Sequence, residues 1–149
     1  MVTMVGTEST LVEVVDHLMK LDLDAMEAYD IALGNAERPD ICEHLEQFKD
    51  DHIRHADELG KLLADLGGEP NGGPATRQMF PADPIVAASI RGDRNVLEEL
   101  LSSENDTNAA YERALGTVQA NEAAERLLGR NLDDERRHRT WIEETLAAL

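Results

Sequence analysis

The sequence predicts an all-α protein folded as an antiparallel four-helix bundle. From Leu11 onward, apolar residues recur at steps of three and four, the spacing of amphipathic helices, and β-branched or aromatic runs are scarce. Glycine and proline collect in one stretch, at about 67–92, which therefore cannot be a regular helix. Two short connections and this long one indicate two repeated helix hairpins joined by a crossover.

The first hairpin is delimited by capping and stop residues. Thr10 and Glu13 have the spacing of a capping box, so we expect helix 1 to start near Thr10 and to stop at Gly34. Helix 2 is predicted to open around Pro39, which suits a first turn, and to run to Gly67-Gly68. Residues 1–9 are expected to form a flexible N-terminus, and residues 10–149 the bundle.

The second hairpin follows the crossover, in which residues 84–90 are predicted to form a short helical piece. Helix 3 is expected from about Asp93 to Leu115, with Gly116 as its stop, and helix 4 from about Asn121 to the C-terminus. The two hairpins repeat each other: residues 28–34 and 110–116 share Ala-Tyr-x-x-Ala-Leu-Gly, and residues 50–55 correspond to 133–138. Two copies are too few for a solenoid, so the repeat favours a closed bundle with pseudo-two-fold symmetry.

The net charge of −17 excludes two classes of partner. Nucleic acid and anionic membranes would be repelled, whereas metal cations remain compatible with the chain. A single cysteine, Cys42, excludes an internal disulfide and any zinc site built on several thiolates. Without a basic leader or an apolar segment of about 20 residues, the protein is expected to be cytoplasmic.

Ionisable residues interrupt the apolar stripe of every helix near its middle. Burying them unpaired would cost several kcal/mol or more, so they require a neutralising partner, and metal cations are the simplest one. The candidate metal ligands are one acidic residue on helices 1 and 3 and two residues on helices 2 and 4: Asp22, His52, His55, Glu104, Glu135 and His138.

Helix 4 carries the more specific signal. Glu135 and His138 form Glu-x-x-His, whose spacing points both side chains to one side of a helix, although one such motif on a charged helix is also typical of a solvated face. Two carboxylates plus two Glu-x-x-His motifs are the arrangement of di-iron and di-manganese bundles. Oxygen-rich sites with imidazoles suit iron or manganese, and zinc stays open.

At this point the chain resembles the ferritin-like superfamily of rubrerythrins and bacterioferritins, and more closely a bacterial ferritin-like family without an assigned function. The resemblance covers roughly residues 11–149. In the superfamily, a metal carboxylate precedes a tyrosine by seven residues on the first and third helices. Asp22 and Tyr29, and likewise Glu104 and Tyr111, have this spacing.

Two departures from the superfamily pattern concern the second helix. His55 matches the motif, but His52 stands where the resemblance implies a glutamate that bridges two metals. A neutral imidazole could bind one ion and could not bridge, so we expect an asymmetric two-metal site or a single-metal site; a hydrogen-bonded core histidine is the alternative. Bacterioferritins carry a haem-ligating methionine next, where this chain has Ile53, so no haem is expected.

Four further residues are candidate partners of the ligands. Asp51 and Asp134 lie four residues before His55 and His138, where they could fix an imidazole tautomer or simply be solvated. Tyr29 and Tyr111 could hydrogen-bond to ligands, carry a radical or pack in the core.

The resulting functional hypothesis is a ferritin-like protein whose iron or manganese reacts with O₂ or peroxide, in metal homeostasis or oxidative-stress defence. Such a site would make the chain a di-metal oxidase or peroxidase. The alternative is a non-catalytic structural or stress protein with a degenerate or single-metal site, and iron storage in a cage is least favoured. A short acidic bundle is also compatible with a homodimer.

Overall fold

Four long helices make up the described part of the chain. The computed structural model describes residues 8–68, 91–118 and 121–149. Its helices are α1 (Glu8–Asn35), α2 (Pro39–Asp65), α3 (Asp93–Thr117) and α4 (Glu122–Ala148). Helix α1 packs on α2 and α3, and α4 packs on α3 and α2, so the four helices form a closed ring. The predicted all-α four-helix bundle is confirmed.

Two of the glycines predicted to stop helices lie inside them. Helix α1 begins two residues before Thr10 and continues through Gly34, and α3 continues through Gly116 to Thr117. Glycine permits the left-handed conformation of a helix end but does not impose it. Among the described residues, only Gly67 and Gly92 have positive φ angles, of 80° and 87°.

Helix α2 ends at Asp65, two residues before Gly67, where the sequence predicts a stop. The Gly67 N–H donates to the Ala64 carbonyl and the Gly68 N–H to the Leu63 carbonyl, each at 3.0 Å. These two bonds form a Schellman motif, in which the left-handed residue turns the chain back over the last carbonyls. Glycine is favoured at this position because a Cβ atom there would strain the backbone.

Helix ends also join the two hairpins. Asp93, the first residue of α3, accepts hydrogen bonds from the N–H groups of Glu37 at 2.7 Å and Arg38 at 3.3 Å, so it ties α3 to the turn between α1 and α2. Asn121 caps α4 by accepting from the Ala124 N–H at 2.9 Å. The predicted helical piece at 84–90, most of the crossover and residues 1–7 of the predicted flexible tail lie outside the described residues.

The buried interior consists of two apolar clusters. One contains Leu18, Leu59 and Leu128, and the other contains Phe48, Leu97 and Ile142. Along each helix, a group of buried polar residues separates the two clusters. No helix among the described residues is both long and apolar enough to cross a bilayer.

Candidate metal centre

Six ionisable side chains lie between the two apolar clusters, in the middle of the bundle. Each helix contributes, and none of the six side chains is more than 1% exposed. They are the residues that the sequence singles out as candidate metal ligands: Asp22 on α1, His52 and His55 on α2, Glu104 on α3, and Glu135 and His138 on α4.

Helical periodicity places these side chains in the core. His52 follows buried Phe48 by four residues, and His55 precedes buried Leu59 by four. Residues at these steps share one face of a helix, so the apolar neighbours that bury this face of α2 also bury its histidines.

The six residues form two overlapping groups. In each group, four candidate ligand atoms lie within 4.8 Å of one another. His52 and Glu135 belong to both groups, which we name by the carboxylate that distinguishes them. The Asp22 group is Asp22, His52, His55 and Glu135, and the Glu104 group is His52, Glu104, Glu135 and His138.

Each distinguishing carboxylate accepts a hydrogen bond from a tyrosine of the other hairpin. The Tyr29 hydroxyl donates to Glu104 Oε2 at 2.6 Å, and the Tyr111 hydroxyl donates to Asp22 Oδ2 at the same distance. Burial and the neighbouring carboxylates raise the pKa of both tyrosines well above the ordinary value. Both phenols therefore stay neutral donors that fix the orientation of a carboxylate.

The outer nitrogens of two histidines contact aspartates of the opposite helix. His55 Nε2 donates to Asp134 Oδ2 at 2.9 Å, and His138 Nε2 donates to Asp51 Oδ2 at 2.8 Å. The spacing along the sequence suggests a pairing within each helix, whereas the structure pairs α2 with α4. These contacts leave Nδ1 of each ring directed at the centre of the bundle, where it would carry the lone pair of the neutral imidazole.

Sequence reasoning missed two arginines that complete this arrangement. Arg137 donates to Asp51 at 2.7 Å and to Asp134 at 3.1 Å, and Arg54 donates to Asp51 at 3.1 Å and also to Asp134. The signal was present, since Asp-x-x-Arg-His occurs at 51–55 and again at 134–138. The four side chains form a ring of ion pairs over the seam between α2 and α4.

The three histidines are basic despite their burial. Burial lowers the pKa of each ring, but the surrounding carboxylates outweigh it. The pKa rises to about 9 for His55, beside Asp22, and to about 10 for His138, beside Glu104. His52 faces Asp22 through Nδ1 at 2.8 Å and Glu104 through Nε2 at 3.3 Å. Its pKa lies well above the ordinary value, and the charge of Glu135 raises it most.

The pKa values of the three carboxylates shift in two directions. Burial raises the pKa of all three, but His138 and His52 overcome it at Glu104, whose pKa falls well below the ordinary value. Hydrogen bonds from His52 and His55 likewise lower the pKa of Asp22. At Glu135 burial prevails, helped by the charge of Glu104, and the pKa is raised. Glu135 is therefore the carboxylate with the least compensation inside the protein.

Several site atoms have no hydrogen-bond partner, and they provide a test of whether the site fits a metal. They are Glu104 Oε1, both Glu135 carboxylate oxygens and His138 Nδ1. Buried polar atoms without partners cost free energy, and a bound cation would give such atoms a partner. Carboxylate oxygens and imidazole nitrogens without thiolate are a donor set that iron, manganese and zinc accept, so the residues fit a metal ion.

The bundle and its buried carboxylate-imidazole layer define a class of helical protein with candidate metal-binding groups in its core. Residues 25–149 match the ferritin-like domain family, and the chain belongs to that family. The predicted superfamily is thus confirmed. Asp22 lies just before the matched residues. No curated protein matches this chain.

Solved structures support the same fold. The chain is similar to the bacterioferritin of Desulfovibrio desulfuricans, with a TM-score of 0.74 and 20% sequence identity. The match covers 94% of this chain and 80% of the bacterioferritin chain. That structure is described as showing its diiron site in different catalytic states. At this identity, the likeness establishes the fold.

Proposed function

We propose that this chain binds iron, with manganese as the other candidate, in its bundle core and reacts with O₂ or peroxide, serving metal homeostasis or oxidative-stress defence. When bound, ferrous iron would supply electrons and an open coordination position for the oxidant. The similar Desulfovibrio bacterioferritin has a diiron site, and this supports iron as the first candidate.

The observation that carries this proposal is the set of buried atoms without hydrogen-bond partners. Both oxygens of Glu135 lack a donor although the residue is fully buried. A glutamate kept only for a structural network would be expected to find donors in the protein, because each missing hydrogen bond costs about 1–3 kcal/mol. A metal ion supplies the missing partner.

The chain's own residues have definable tasks around such an ion. The carboxylate oxygens would come from among Asp22, Glu104 and Glu135, and the nitrogens from among the three histidines. Tyr29 and Tyr111 hold two of those carboxylates in place, and Asp51 and Asp134 orient two imidazoles. The apolar clusters on either side limit access of bulk water.

A second candidate function is a non-catalytic ferritin-like structural or stress protein with a degenerate site. His52 favours it, because this ring hydrogen-bonds to Asp22 on α1 and to Glu104 on α3. Such a network stabilises the bundle without any ion. The two candidates differ in whether the chain takes up metal and whether bound iron reacts.

The decisive experiment is anaerobic loading of the chelator-treated protein with ferrous iron, followed by O₂ or peroxide. We expect near-stoichiometric iron and an oxidation rate above that of free iron in the same buffer. Glu135→Ala should lose the bound iron, whereas Glu143→Ala, an exposed position on the same helix, should keep it. Failure of the unaltered protein to bind iron, manganese or zinc would refute the metal proposal.

Three narrower expectations accompany the proposal. Ile53, which is 41% exposed on α2, has no atom that could ligate haem iron, so the proposed centre involves no haem. We also propose a cytoplasmic location and a homodimer. Size-exclusion chromatography with light scattering tests the dimer.

A further inference from the structure

The two groups of candidate ligands differ in how far the protein itself satisfies them. In the Asp22 group, Asp22 Oδ1 faces His52 Nδ1 at 2.8 Å and His55 Nδ1 at 3.2 Å, and Oδ2 accepts from Tyr111 at 2.6 Å. Both oxygens of this carboxylate therefore have partners. The protein itself thus satisfies the distinguishing carboxylate of the Asp22 group.

The Glu104 group, in contrast, contains atoms that have no hydrogen-bond partner in the protein. Glu104 Oε1 and His138 Nδ1 belong to this group alone and have no hydrogen-bond partner, whereas no atom that belongs to the Asp22 group alone lacks one. The two Glu135 oxygens, which also lack a partner, are shared by both groups. His138 Nδ1 lies 3.4 Å from Glu104 Oε2 and 3.5 Å from Glu135 Oε2. The residues that carry these atoms are at most 1% exposed, so bulk solvent does not reach them.

The ring of His52 accounts for the difference. Its Nδ1 is the closer contact, at 2.8 Å from Asp22, whereas Nε2 lies 3.3 Å from Glu104. When the ring gives up one proton to bind a cation, a hydrogen kept on Nδ1 and donated to Asp22 leaves the Nε2 lone pair directed at the Glu104 group. A neutral imidazole has only one such lone pair, so His52 can serve one group and not both.

From this asymmetry we infer that the centre holds one divalent cation, in the Glu104 group, with His52 Nε2, Glu104, Glu135 and His138 Nδ1 as its ligands. The Asp22 group holds the His52 ring in place of a second ion. Two carboxylates balance the charge of one divalent cation. The inference rests on the proposed function, since it specifies the number and position of ions in the same site.

The test counts ions with cobalt(II), whose absorption spectrum also reports coordination. Isothermal titration of the chelator-treated protein should give one cobalt(II) per chain. The matched variants Glu104→Gln and Asp22→Asn remove the same charge from pseudo-equivalent positions. Glu104→Gln should abolish binding, and Asp22→Asn should keep one ion. Equal losses in both variants, or a loss only in Asp22→Asn, would overturn the inference.

Two milder substitutions test the inference even if the carboxylate variants fail to fold. Tyr29→Phe removes the donor to Glu104 and should weaken cobalt(II) binding by about tenfold with a changed spectrum, whereas Tyr111→Phe should leave both nearly unchanged. His52→Glu should raise the count to two ions. Two ions in the unaltered protein would overturn this inference and leave the proposed function standing. No ion at all would overturn both.

Discussion

Asp51 on α2 accepts a hydrogen bond from His138 on α4, with 2.8 Å between Oδ2 and Nε2. Its counterpart under the pseudo-two-fold symmetry joins Asp134 on α4 to His55 on α2 at 2.9 Å. These contacts reach from one hairpin to the other and set the inward direction of both Nδ1 atoms. The pairing of the two hairpins thus orients two of the candidate metal ligands.

Replacing Asp51 tests this orienting contact. Asp51→Ala leaves His138 without its acceptor, so the ring loses its fixed tautomer and orientation, and we expect cobalt(II) or iron affinity to fall by about 10–100-fold. Isothermal titration measures the change. Asp50→Ala, at the exposed neighbouring position, serves as the control and should bind as the unaltered chain does. Equal affinity in both variants would show that Asp51 does not orient the ligand.

The stability of the metal-free protein should depend on pH in a defined direction. The pKa values of His55 and His138 are raised to about 9 and about 10 in the folded chain. Their stabilising contribution is therefore complete below their unfolded pKa of about 6.5 and is lost as pH rises through the folded values. The pKa values of Asp22, Asp51 and Asp134 are lowered, so their contribution is lost on acidification below about pH 4.

Thermal denaturation in the presence of chelator measures this dependence. The Tm should be highest between about pH 4 and 6.5 and should fall towards pH 9. Saturating zinc should reduce or reverse the fall, because the ion binds deprotonated imidazoles. His138→Gln should show a shallower decline. A Tm that rises from pH 6 to pH 9 in chelator would contradict the assigned direction.

Two glycines offer opposite tests of helix-end geometry. Gly67 has a φ of 80°, so Gly67→Ala forces a Cβ into the left-handed region and should lower the free energy of unfolding by about 1–2 kcal/mol. Gly116 lies within α3 with open space around it, and Gly116→Ala should raise stability by about 0.5–1 kcal/mol. Urea denaturation distinguishes the two, and a stabilising Gly67→Ala would contradict the Schellman assignment.

Packing beside the centre gives a further prediction. The Phe48 ring stacks on His138, with centroids 4.2 Å apart, and the residue is 2% exposed. Phe48→Ala should lower the free energy of unfolding by about 3–5 kcal/mol, because it leaves a cavity in the core. Ile53→Ala on the same helix removes a side chain that is 41% exposed and should change stability by less than about 0.5 kcal/mol. Similar losses in the two variants would contradict this assignment of the core.

The sequence was sufficient to predict the helices and to place the candidate ligands on their core faces, because both depend on local periodicity. Steps of three and four residues placed Asp22 and His52 on core faces without any knowledge of how the helices pack. Helix ends were less predictable. Gly34 and Gly116 lie within helices, because a glycine allows a stop that only the flanking chain and its contacts decide.

By itself, the sequence determined the all-α class, the repeated hairpin and the ionisable layer in the core. Only the tertiary structure decided that Asp51 pairs with His138 across the bundle and that Arg54 and Arg137 bridge Asp51 and Asp134. It also decided that Glu104 Oε1 and His138 Nδ1 have no hydrogen-bond partner. The physical reason is that periodicity fixes which face a side chain occupies, whereas hydrogen bonding depends on which helices become neighbours and at what distance.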